Sequence, residues 1–314
     1  NVAGETHDYS TCAAFFDADG DGDLDLIVGG YSVWSPEIDQ TLQTLVPGFG
    51  LTYSDPDVFE GQSGRAFRNE GGTHFTEVQD RWGLGNLDPT TSKVIGKNLG
   101  FAFDYFNDDR LLDIVVANDR VENLFLMSGP SGYRNQARSA GLAFERRGLP
   151  SAAMGIDIDV EPETGERRIV MGNFFDEMTS LYVGNAKSTA YLDESIAEGI
   201  GPRTNDRVTF GALFIDYDLD GRRDIIEVNG AIDEVPEDLR SVGVRYAQPG
   251  DVFWNCGGAC RTRYLFVGRE DTGDIGVPIV GRALAAADMD GDGDLDLAAT
   301  GIGAPGLIYR NETP

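Results

Sequence analysis

The sequence predicts an all-β fold, a β-propeller of four-stranded blades, on three observations: an acidic loop set between two apolar runs recurs five times, a hairpin pattern follows each copy, and the apolar runs stay as short as strands. The five copies read CAAFFDADGDGDLDLIVGG from Cys12, GFAFDYFNDDRLLDIVVAND from Gly100, MGIDIDVEPETGERRIVMGNF from Met154, GALFIDYDLDGRRDIIEVNG from Gly211 and ALAAADMDGDGDLDLAATGIG from Ala283. Their loops open at Asp17, Asp104, Asp159, Asp216 and Asp288, at spacings of 87, 55, 57 and 72 residues.

The following hairpins read AFRNEGGTHFTEV, LFLMSGPSGYRNQ, LYVGNAKSTAYLDES, YLFVGREDTG and LIYRNETP. Each has an aromatic or aliphatic run and a turn rich in Gly, Asn and Ser. Inner hairpin plus outer hairpin gives four strands in about 55 residues, one propeller blade. Residues 1–314 therefore read as a single propeller with inserted loops near 31–65 and 231–263, candidate binding excursions or padding alike. The last unit ends at LIYRNETP, one strand short. The simplest closure places Val2 beside Tyr309 as the outer edge of that blade, removing exposed sheet edges.

Three loops follow Asp-x-Asp-x-Asp-Gly-x-x-Asp. They offer Asp17, Asp19, Asp21 and Asp25; Asp216, Asp218, Asp220 and Asp224; and Asp288, Asp290, Asp292 and Asp296. Four like charges within nine residues repel unless a cation sits among them. Glycine at the sixth position allows the bend, and the seventh residue (Asp23, Arg222 or Asp294) offers its backbone carbonyl. An all-oxygen donor set selects a hard cation, and its size suits Ca2+ at about three sites better than Mg2+. The competing reading is a solvated acidic turn, which repetition at equivalent places disfavours. Loop four also satisfies the EF-hand pattern with Glu227 at its twelfth position. Its sister loops hold Val28 and Ala299 there, so Glu227 reads as a strand residue.

Loops two and three read as degraded. Loop two carries Phe106 where the second aspartate belongs and one extra residue before Asp113. Loop three has Asp159, Glu161 and Glu163 with Arg167 at the ninth position, so Arg167 or Arg168 is expected to pair with Asp159 or Glu161 in place of a metal.

The formal charge of −28 and pI near 4.2 turn the chain away from nucleic acid and anionic membranes. No apolar run reaches the length of a membrane span. No leader is legible, and an exported protein whose leader has been removed fits the composition. Cys256 and Cys260 share a tight Asn-Cys-Gly-Gly-Ala-Cys loop, read equally as a local disulfide or two thiols, while Cys12 reads as a buried free thiol. Asn311-Glu-Thr is a formal glycosylation sequon.

The phrases AAFFDADGDGDLDLIVGGY, VFEGQSGRAFRNEGGTHFTEV, FIDYDLDGRRDIIEVNG and VGRALAAADMDGDGDLDLAATGIGAPGLIYRNE resemble FG-GAP/VCBS propeller repeats, and more closely the cartilage acidic protein family, over nearly the whole chain. The resemblance implies an exported calcium-binding propeller acting in adhesion, matrix or assembly. Two features depart from it: the ASPIC/UnbV domain common in that family is not in this sequence, and five units are counted where the family pattern is closer to seven.

The functional expectation is a secreted, cell-surface or periplasmic module that binds a protein or glycan partner, or serves as a subunit of a larger extracellular assembly, without catalysis. Trp34, Trp82 and Trp254 are candidates for stacking on sugar rings, with blade-core packing as the plainer reading. The alternative is a propeller-based polysaccharide lyase or hydrolase. Only His7 and His74 exist for a histidine-centred triad, and no acid–base pair stands outside the repeat pattern.

Overall fold

A computed structural model describes residues 9–42, 44–85, 88, 91–186, 189–234 and 244–313. The chain is all-β and of β-propeller type, with five blade sheets, all antiparallel. Four sheets have four strands and the fifth has three among the described residues. Val2 and His7 lie outside the described residues, as does the proposed pairing of Val2 with Tyr309.

The chain divides into two compact units. One comprises Asn1–Gln43, Ser54–Ala153 and Thr189–Tyr191 and holds two blades. Blade one runs β1 (Ser10–Phe16) and β2 (Asp25–Gly30), then an excursion carrying α1 (Pro36–Thr41) and the hairpin β3 (Thr44–Val46) and β4 (Gly50–Thr52). It resumes with β5 (Arg65–Asn69) and β6 (Phe75–Glu77), followed by the short helix α2 (Gln79–Trp82). Blade two is β7 (Asn98–Asp104), β8 (Asp113–Asn118), β9 (Leu124–Met127) and β10 (Arg134–Asn135). Strand β8 is buried at every position, as a sheet covered on both faces requires. Phe16, Ile27, Ile114, Val116, Leu124 and Leu126 form the core of this unit, with the Phe16 and Phe103 rings 4.9 Å apart. Trp82 packs against that core, the plainer of its two readings.

The other unit comprises Thr44–Tyr53, Met154–Ser188 and Leu192–Pro314 and holds three blades together with the hairpin β3–β4. Blade three is β11 (Ile156–Val160), β12 (Arg167–Met171), β13 (Ser180–Gly184) and β14 (Leu192–Asp193). Blade four is β15 (Thr209–Ile215), β16 (Asp224–Asn229), β17 (Asp251–Asn255) and β18 (Tyr264–Phe266). Blade five is β19 (Gly281–Ala287), β20 (Asp296–Gly301) and β21 (Leu307–Tyr309). Along β16 the side chains alternate between two cores: Ile225 packs with Val170, Leu181 and Phe253, and Ile226 packs with Leu213, Val252 and Leu297. Blades four and five approach so closely that a Cβ on Gly230 would lie 2.6 Å from the Gly281 nitrogen, which is why no side chain stands there.

The second insertion is shorter than the sequence suggested. Asp251–Asn255 is the third strand of blade four, so YLFVGREDTG supplies the fourth strand, β18, rather than a whole hairpin. The Cys256–Cys260 disulfide is formed and closes the β17–β18 turn, while Cys12 is a half-buried free thiol pushed up to about 11 by burial.

Candidate metal centre

Loops one, four and five each fold to the same geometry. The first aspartate turns back on the loop: Asp17 accepts from the Gly20 and Gly22 amides at 2.8 and 3.1 Å, Asp216 from Asp220 and Gly221 at 3.0 and 2.9 Å, and Asp288 from Gly291 and Gly293 at 2.7 and 3.2 Å. The fifth-position carboxylates Asp21, Asp220 and Asp292 each accept the amide of the seventh residue. The sixth glycine has positive φ in all three, from 86° at Gly221 to 102° at Gly293, a backbone that glycine adopts without strain.

This folding converges three carboxylates per loop, with one oxygen of each within 4.8 Å of the others: Asp17, Asp19 and Asp25; Asp216, Asp218 and Asp224; Asp288, Asp290 and Asp292. Of the other predicted ligands, Asp21, Asp23, Asp220, Arg222, Asp294 and Asp296 stand outside these triplets. The donor set is all oxygen. Asp218 Oδ1 and Asp294 Oδ1 are buried and accept no hydrogen bond within the protein, so both retain the capacity to ligate. A hard divalent cation fits these residues.

The ninth aspartate does something the motif did not suggest. Asp25, Asp113 and Asp224 are 0% exposed and Asp296 is 2% exposed. Each uses one oxygen to accept an amide from the loop's second residue (Ala18, Phe106, Tyr217 or Met289) at 2.9–3.2 Å. The other accepts an amide at the end of the third strand (Asn69, Ser128, Asn255 or Asn311) at 2.6–2.8 Å. The carboxylate therefore stitches three strands together in four blades. Burial raises Asp25, Asp113 and Asp224 above the usual carboxylate range, Asp224 to about 7.

Loop two needs a correction of frame. Asp104 pairs with Asp113 in the register in which Phe16 pairs with Asp25, so the loop's first position is Tyr105 and it contains no extra residue. Arg110 then sits at the glycine position with φ 68°, and Phe106 at the second position is a backbone donor to Asp113. The Ser128 hydroxyl bridges Asp109 and Asp113, at 2.7 Å from each. A hydroxyl thus closes this loop where a cation would serve the others.

In loop three the turn is tighter than in its sisters, because Val160 already pairs with Arg167. Asp159 consequently lies within the strand ladder opposite Arg168. As expected for one of the two arginines, Arg168 takes the neutralising role: 1% exposed along its side chain, it lies 3.1 Å from Asp159, 3.2 Å from Glu161 and 2.7 Å from Glu166. Arg167 turns to the Ala186 carbonyl.

Trp254 belongs to loop four. Its indole Nε1 donates to Asp218 Oδ2 at 2.8 Å. Trp34, in the first excursion, is 38% exposed. His74 is exposed in the β5–β6 turn. A cleft of about 620 Å3 opens beside loops three and four, with Ile158, Phe214 and Leu295 as its apolar wall and Asp216, Arg222 and Arg223 among its polar residues. It is of the size that accommodates small ligands.

The carboxyl most displaced outside the loops is Glu227, in β16 as expected for a strand residue. It is 0% exposed and sits opposite Asp251 in the ladder, taking a 2.6 Å bond from the Thr179 hydroxyl and leaving Oε2 without a partner. Arg207 holds Asp251 at 2.6 Å. Burial pushes Glu227 up to about 8, with Asp251 adding to the rise and Thr179 and Arg207 opposing it. The folded state keeps a proton that the unfolded chain, near its ordinary value of 4.5, releases. The group's contribution is thus full below about pH 4.5 and is lost as pH rises towards 8. Glu227→Gln should raise the melting temperature at pH 9 by roughly 5 °C and leave it nearly unchanged at pH 4.5. Equal shifts at both pH values would show that Glu227 does not titrate in this range.

No protein-family model and no curated protein matches the chain. Among solved structures it is similar to a candidate exo-beta-1,3-galactanase from Bifidobacterium bifidum, at 10% identity over 93% of this chain and 87% of that one, with a TM-score of 0.39. It is similar to a rhamnogalacturonan lyase of Bacillus licheniformis at 14% identity over 96% of this chain, TM-score 0.39, and spans 56% of that protein. A lectin of Agrocybe aegerita that recognises non-reducing terminal N-acetylglucosamine aligns at 13% identity over 96% of this chain and 81% of its own, TM-score 0.33. Likenesses at this level bear on neither activity nor ligand.

Proposed function

We propose that this chain is an exported calcium-binding propeller module that engages a protein or glycan partner without performing chemistry on it. The observation that carries the reading is repetition: three loops, at the same place in three blades, each bring three carboxylates together. Without a cation such groups repel at short range, and an isolated acidic turn would not arise three times in one register. Calcium is the cation that suits flexible, carboxylate-rich oxygen sites. The loop motifs and outer hairpins resemble FG-GAP/VCBS repeats, which fits the same role.

The non-catalytic part of the reading is supported by where the displaced carboxyls sit. Glu227 and Asp251 are sealed in blade four, and Asp159, which lines the cleft, is paired with Arg168. Partner binding is supported by the cleft beside loop four, whose apolar wall and polar residues suit a sugar ring or a peptide segment. Among the described residues no helix is long and apolar enough to cross a membrane.

Equilibrium dialysis against Ca2+ is expected to give a stoichiometry near three. A glycan array and a co-purification, each run with calcium and with chelator, should then return either a sugar hit or a stoichiometric protein that is lost on chelation. Turnover of a polysaccharide by the purified chain would overturn the non-catalytic reading, and a dialysis stoichiometry of zero would overturn the calcium one.

A further inference from the structure

The three candidate cation loops share a ligand pattern but differ in what the third strand lays against it, and the geometry points to unequal affinities, with loop four binding calcium most tightly and loops one and five held weaker by a built-in arginine. This inference rests on the calcium reading above.

The third-position carboxylate (Asp19, Asp218 or Asp290) belongs to every converging triplet. The residue facing it stands just before the third-strand asparagine. In blade one that residue is Arg68, with its Nε 3.1 Å from Asp19 and an Nη 3.4 Å from Asp21. In blade five it is Arg310, with its Nε 2.7 Å from Asp290 and an Nη 3.7 Å from Asp292. In blade four the same place holds Trp254, whose neutral indole donates to Asp218.

A guanidinium already paired with a ligand carboxylate opposes a divalent ion twice. It competes for the oxygen lone pairs and it repels the incoming charge at short range. An indole N–H takes a lone pair of Oδ2 but carries no charge to repel the ion, and it leaves Asp218 Oδ1 without a hydrogen bond. Loop four has an arginine of its own, Arg222, but it engages Asp220, outside that loop's triplet, and its Nε is tied to the Asn255 carbonyl at 2.7 Å. Arg68 and Arg310 therefore act as affinity-setting residues. They also keep the exposed loops one and five neutralised when calcium is scarce.

Isothermal titration of the whole chain with Ca2+ tests this. The wild type should show one tight site and two sites about tenfold weaker. Asp218→Asn should abolish the tight phase alone. Arg68→Met and Arg310→Met should each tighten one weak site about tenfold, and circular dichroism should show each variant folded. Three sites of equal affinity, a tight phase that survives Asp218→Asn, or arginine variants with unchanged binding would overturn the ranking while leaving calcium binding in place. No calcium uptake by the wild type or any variant would overturn both.

Discussion

Chelation should lower the melting temperature of this protein by roughly 10 °C. A ligand bound only by the native state stabilises it by RT ln(1 + [L]/Kd), about 1.4 kcal/mol per site at tenfold excess over Kd. Three sites together contribute about 4 kcal/mol, a large share of the stability of an ordinary domain. Comparing thermal melts with calcium and with chelator measures the sum. Asp19→Ala should remove less than a third of it, because it empties one of the two weaker converging triplets and leaves the other two triplets intact. An unchanged melting temperature on chelation would sink the assignment of all three loops. Asp113→Ala, which lies in a loop without a converging triplet, should leave the calcium-dependent part unaltered.

That same substitution should nevertheless cost about 3–5 kcal/mol. Asp113 is fully buried and accepts the Phe106 amide at 2.9 Å, the Ser128 amide at 2.6 Å and the Ser128 hydroxyl at 2.7 Å. Alanine leaves the two buried amides without an acceptor, each at about 1–3 kcal/mol before relaxation or entry of water, while the Ser128 hydroxyl keeps Asp109. Urea denaturation with and without calcium separates this loss from any effect on the ion. A cost below about 1 kcal/mol would mean that the strand-to-strand carboxylate is dispensable. Asp113→Asn should fall between alanine and wild type, since its amide oxygen still accepts one of the bonds.

The propeller class, the blade unit and the three regular loops were legible because their information is local. Alternating aspartates, a glycine at the bend and flanking apolar runs suffice to fix a hairpin and its converging oxygens. What escaped was register. Asp104, at the end of β7, imitates a first ligand, and the true first position is Tyr105. Arg110 occupies a positive-φ site usually reserved for glycine, which hid the frame. Counting back eight residues from Asp113, the span from Asp17 to Asp25, would have recovered it. Strand β17 was hidden because it opens on Asp251, a charge buried against Arg207, and a buried ion pair reads in sequence as a polar loop. The role of the ninth aspartate needed the third strand, which arrives 15 to 44 residues later in the chain. No window confined to the loop contains its partner.

The ninth-position carboxylate ties the strands in four blades, including the loop of blade two, where no converging triplet forms, so the strand tie does not depend on a full set of cation ligands. A blade persists without a converging triplet, as loop two does with a serine and loop three with an arginine. For an evolving lineage this makes each ion site an independent option: ligands drift away or return by single substitutions, and the number of ions carried becomes adjustable without rebuilding the protein. Chains with the same architecture would then be expected to differ widely in how many ions they hold, in a patchwork that follows the calcium supply of their surroundings rather than their ancestry.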